Sequence, residues 1–208
     1  MKKRNKKQEK EILPPGGLNF DDIFDARREP NISDYYYDAL ELLDGGKKEV
    51  KKALRLLNIA LKMDEDYVQT YIGFVCVYGA MGDKKKQEDS IKIAYEKTLK
   101  KFPRWPEQMM WGYIDNRAYM RAIQYMGELY WDNGENTKAV ELFRLLLKLN
   151  PGDNQGVRYE IAGLYAGLSG EDVNRMTDEG NEKQDWSEQE NLVQEQNKKH
   201  KFWKEPKY

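Results

Sequence analysis

MRAIQYMGELYWDNGENTKAVELFRLLLKLNPGD (residues 120–153) decides how this chain is read. Its apolar residues recur at helical spacing on both sides of a break at Asn133-Gly134, and Asn150-Pro151-Gly152 stops the second half. Two helices joined by a tight turn follow. Gly127 and Tyr130 stand three apart in the first, Ala139 and Phe143 four apart in the second, and Pro151 closes the unit.

The same punctuation continues outward. Gly45-Gly46, Met63-Asp64, Gly82-Asp83 and Pro103 are further stop or turn signals. They divide the chain into predicted helices at about 34–44, 47–63, 66–81, 84–101, 116–133, 136–149 and 154–168, with Ser33 as the first N-cap. No segment sustains two-residue alternation, so no sheet is predicted. In 47–65, Ala53, Leu57 and Ala60 repeat the small-large-small pattern. Val68, Tyr71, Val75 and Tyr78 form a packing face, as do Ile91, Tyr95 and Thr98. Val157, Ile161, Leu164 and Leu168 make a stripe on a last helix, predicted to cap the stack without a partner.

Residues 120–153 resemble one tetratricopeptide repeat, a 34-residue helix–turn–helix unit. The likeness is specific there and looser over 35–103. DNRAYMRA (115–122) and LNPGDNQGVRY (149–159) are similar to a subset of uncharacterised bacterial tetratricopeptide proteins, with Ala118 where that subset has proline. The resemblance implies an all-α fold: a right-handed superhelix of antiparallel helix pairs, about three repeats plus a capping helix. It further implies a protein-binding adaptor with no reaction of its own. The first helix of each pair would line a concave groove. That puts Arg121, Gln124, Glu128 and Trp131, then Gln155, Arg158 and Tyr165, toward a helical or extended peptide. Against this stands an internal reading, in which Arg121, Glu128 and Arg158 form an ion-pair network between the fifth and seventh helices. Chaperone-tail capture is disfavoured, because the matching groove positions include Cys76, Gly79 and Ala80 rather than lysines and asparagines.

Three regions are expected: a flexible leader (1–32), a helical domain (33–169) and a polar C-terminal tail (170–208), partly disordered or forming one solvated helix around 187–203. In the leader, LNFDDIF (18–24) either packs on the first helix or docks elsewhere. Between the second and third units, FPRWPEQMMWGYIDN (102–116) either plugs the gap between repeats or walls a pocket. The final KKHKFWKEPKY mixes bases with aromatics and reads as a frayed end.

Composition narrows the chemistry. With 35 basic and 36 acidic residues, the molecule as a whole is not built to hold nucleic acid, and no nucleic-acid partner is expected. A weak alternative runs through Lys2–Lys10 and the basic C-terminus. The single histidine, His200, sits in the expected C-terminal tail, so a histidine-assisted nucleophile is not predicted, and the single cysteine, Cys76, lies in the apolar helix TYIGFVCVYGA and reads as a small packing residue. One of each cannot make a zinc site of usual spacing, and no phosphate-binding glycine loop is present. No metal, cofactor or catalytic residue is expected. The basic start has no apolar run behind it, and no membrane span is visible. The expectation is a cytoplasmic protein whose partner is another protein or peptide. Its 14 tyrosines and 5 tryptophans allow a second reading, self-association into a homodimer.

Overall fold

A computed structural model of the chain describes residues 29–206. The leader motif 18–24 and the basic residues 2–10 lie outside the described residues, as do the last two. Among the described residues the protein is all-helical, with no strand. The helices are α1 (Ile32–Glu41), α2 (Lys47–Met63), α3 (Val68–Met81), α4 (Lys84–Lys101), α5 (Ile114–Asp132), α6 (Asn136–Leu149), α7 (Val157–Ala166), α8 (Gly170–Lys183) and α9 (Ser187–His200), with a single 3-10 turn at Leu43–Gly45. The first seven coincide with the predicted helices to within three residues at either end.

Local chemistry explains the boundaries. Gly82 takes φ +70° to end α3, and the Asp83 carboxylate then accepts from the Lys86 amide to start α4. Ser169 and Asp172 form a reciprocal capping box at the start of α8. Asp153 reaches forward: its carboxylate accepts from the amides of Val157 and Arg158 at 2.8 and 3.1 Å, opening α7.

Short turns fold each helix back on the last, so α1 packs on α2, α3 on α4, and α5 on α6. Helix α3 (VQTYIGFVCVYGAM) is apolar nearly all round and buries residues on every side. It touches α1, α2, α4 and α5. Two clusters make the core. One gathers Tyr36, Leu57, Ile72, Phe74 and Ala122. The other gathers Met120, Ile123, Phe143, Leu146, Ile161 and Val193, and the half-buried rings of Tyr119 and Tyr125 adjoin both. Close approach depends on glycine. A methyl group at Gly127 would come within 2.6 Å of the Phe143 ring, and one at Gly73 within 2.6 Å of Leu57.

The C-terminal region departs from expectation in its packing. The helix expected around 187–203 is present as α9 (Ser187–His200), but it is not solvated: α8 and α9 pack on α7, which therefore is not an unpartnered cap. Val173, Gln189, Val193 and Gln196 are buried there. The region is polar overall yet carries enough apolar residues at helical spacing to cover the stripe that α7 would otherwise expose. Its end is not frayed through residue 206. Phe202 is buried, the Trp203 indole donates to the Pro151 carbonyl at 3.1 Å, and the Asn197 side chain accepts from the amides of both Phe202 and Trp203. In the 102–116 loop, Met109 is the plug: it is buried, and its amide donates to the Leu149 carbonyl at 2.7 Å. Met110 and Tyr113 stay exposed, at 58% and 67%. No described helix is long and apolar enough to cross a membrane.

Candidate functional site

Helix α5 carries the site. Arg117, Arg121, Gln124, Glu128 and Asp132 follow at intervals of three and four, which puts them on one face over about 22 Å of helix. Charge changes sign along that face, from two arginines through an amide to two carboxylates.

At the basic end, the Arg117 and Arg121 guanidinium groups lie 5.0 and 5.6 Å from the centre of the Trp111 ring. Arg117 Nε also donates to the Trp111 carbonyl at 2.9 Å, which anchors the ring to the helix. Arg121 lies near Tyr36 and Cys76. Burial pushes both of those groups above their usual pKa, and the Arg121 charge partly opposes the push. A thiol held protonated by burial is a packing group, as the sequence suggested for Cys76.

At the acidic end, Gln155 Nε2 donates to Gln124 Oε1 at 2.6 Å, and Gln124 Nε2 donates to Glu160 Oε1. This relay joins α5 to α7. Glu160 Oε2 and Gln155 Oε1 are sealed from solvent without a hydrogen-bond partner. Burial, with help from the nearby Asp132 carboxylate, pushes the Glu128 pKa up to about 7. Burial and the Glu128 charge raise that of Glu160 well above the carboxylate range. Both residues line a recess of about 420 Å³ at the start of α8, where Asp132 and Glu171 add two further carboxylates and no lysine or arginine is among the lining residues.

The seven expected groove residues therefore divide. Arg121, Gln124, Glu128 and Gln155 share one surface. Trp131 does not face a groove: it is 9% exposed, packs edge-on against Phe143 at 6.2 Å, and only borders the recess. The indole moves inward because Gly163 on α7 leaves space beside its Cη2. Arg158 and Tyr165 lie under α9 and the C-terminal segment. Arg158 pairs with Asp153 at 2.9 Å and Glu190 at 3.0 Å, and its guanidinium lies over the rings of Tyr159 and Trp203. Tyr165 stacks on His200 with centroids 3.9 Å apart and accepts hydrogen bonds from Arg144.

The expected Arg121–Glu128–Arg158 network is absent among the described residues, because Arg158 points to α9 and Glu128 has no cationic partner there. Sequence reasoning missed Glu160, Asp132, Glu171, Arg117 and Trp111. A signal for Glu160 was present: a lone carboxylate in the apolar run VRYEIAGLYAG.

No three His, Cys, Asp or Glu side chains among the described residues are arranged to hold a metal ion. Comparison with protein-family models, with curated proteins and with solved structures returns no match to this chain.

Proposed function

We propose that the chain is a tetratricopeptide-like right-handed superhelix acting as a non-enzymatic adaptor, which binds a peptide segment of a partner protein along the α5 face. The glycine-mediated approaches of α3 to α2 and of α5 to α6 support the repeat reading. So does the 34-residue interval between the starts of α6 and α8.

The observation that carries the functional reading is the charge-graded stripe on α5. Polar side chains that only stabilise a fold are commonly matched within it. Among the described residues, Arg117 and Arg121 contact an aromatic ring rather than a carboxylate, and Glu128 faces no cation. A stripe basic at one end and acidic at the other suits a peptide of complementary polarity, bound in one direction.

Panning a displayed library of random twelve-residue peptides against the full chain tests this, with an Arg121→Glu variant as counter-selector. Enrichment of one consensus retained by the wild type and lost on the variant is expected. Equal retention by both, or no enriched sequence, would sink the proposal.

A further inference from the structure

The recess at the acidic end is unusual for what it lacks. Glu128 and Glu160 approach from α5 and α7, Asp132 and Glu171 complete the rim, and Asp153 adds to the negative field on Glu160 from the α7 entry turn. Buried carboxylates are normally paired with a cation or fully hydrogen-bonded, because an unpaired buried charge is costly. Glu160 Oε1 has one amide donor, but Oε2 has none and no contact with solvent. Gln155, one step further along the relay, also has a buried oxygen without a donor. Of the two, Glu160 lines the acidic cavity, and its Oε2 is an unfilled acceptor there. The Trp131 and Gly170 walls are apolar and close together: a methyl group on Gly170 would lie 3.8 Å from the indole. Carboxylates complement the charge of an alkylated cation, and the apolar Trp131 edge beside them can pack its methylene stem.

We propose that this recess is a cation-recognition subsite that takes the ammonium or guanidinium head of a lysine or arginine side chain, supplied by the peptide that occupies the α5 face. It rests on the reading of that face as a peptide site. The donors of such a head would supply what Glu160 Oε2 lacks, and its charge would draw the Glu128 and Glu160 protons off. The recess is about 420 Å³, room for one such head with part of its methylene stem.

The test uses butylammonium chloride as the probe, titrated into isotopically labelled full chain at constant ionic strength. The Trp131 indole and the Gly170 and Glu171 amides are followed by NMR. Saturable shifts confined to those positions are expected, with at least a tenfold loss of affinity in the Glu128→Gln/Glu160→Gln double variant. Removing buried charge should not unfold the protein, and circular dichroism checks this.

Linear shifts, equal shifts in the double variant, or equal binding of neutral butanol would overturn the subsite. Spermidine binding more than a hundredfold tighter than Nα-acetyl-lysine amide would overturn the side-chain occupant in favour of a free polyamine. The two proposals fail separately. Peptide binding that is lost in Arg121→Glu but unchanged in the double variant would retain the groove and refute the subsite. Butylammonium binding without any selected peptide would refute the groove and, with it, the side-chain occupant.

Discussion

Glu128→Gln should make the protein more stable at pH 8 and leave it nearly unchanged at pH 5. In the folded protein the Glu128 pKa lies at about 7, against an ordinary value of 4.5. Below pH 4.5 the side chain is protonated both folded and unfolded and contributes no difference. Between 4.5 and 7 the folded state holds the proton while the unfolded state has released it, so stability falls as pH rises. Above 7 the loss is complete. Each pKa unit is worth about 1.4 kcal/mol, so the carboxylate costs the folded protein about 3 kcal/mol at pH 8. Glutamine keeps the shape without the charge and removes that cost. Urea unfolding followed by far-ultraviolet circular dichroism measures it. With a slope of about 2 kcal/mol per molar urea, the variant's midpoint should exceed the wild type's by about 1.5 M at pH 8 and by little at pH 5. A difference independent of pH, or a variant less stable at pH 8, would refute the account of Glu128 as a half-buried carboxylate without a counter-ion among the described residues.

Other expectations rest on separate contacts. Gly127→Ala would drive a methyl group into the fully buried Phe143 ring, and a loss of about 1–3 kcal/mol in urea unfolding is expected. A neutral effect would mean that α5 and α6 can separate without cost. Arg158→Ala leaves the Asp153 carboxylate, 1% exposed, without its guanidinium, and should cost about 3 kcal/mol. Peptide selection by the α5 face should survive that change at temperatures where the variant is folded, since Arg158 faces α9. Asn197→Ala removes the side chain that holds Phe202 and Trp203, so hydrogen exchange should quicken in α7 and α9 while α1–α3 keep their protection. Cys76, whose thiol burial keeps protonated, should react with iodoacetamide at pH 7 more slowly than a free thiol.

The repeat reading and the structure meet most closely where sequence signals are local. The Gly127–Phe143 contact is foreshadowed by residue type and helical period, since a side-chain-free position on one helix and a large ring on the next are both visible in the string. The stop signals at Gly82-Asp83 and Asn150-Pro151 act through backbone geometry within a few residues, and they mark helix ends as expected. Residues 170–206 were harder to read. Their mean composition is polar, and the few apolar side chains that matter, Val173, Val193 and Phe202, gain their role from a surface formed by distant residues of α7.

The sequence by itself determined the all-helical class, the first seven helices, and the residue types available for chemistry. Those follow from periodicity, backbone punctuation and composition, each of which acts over a few residues or over the whole chain. Only the tertiary structure decided which polar side chains share a surface. Arg121 and Arg158 are alike in type and both fall on predicted first helices. One lies over Trp111 on the α5 face, and the other is enclosed by Asp153, Glu190 and Trp203. The difference comes from α9, which lies more than 25 residues further along the chain and covers one side of α7. The environment of Glu128 and Glu160 was hidden for the same reason. A carboxylate's burial, and the absence of a cation beside it, are properties of the elements that close around it, and here those are α5, α7 and the start of α8.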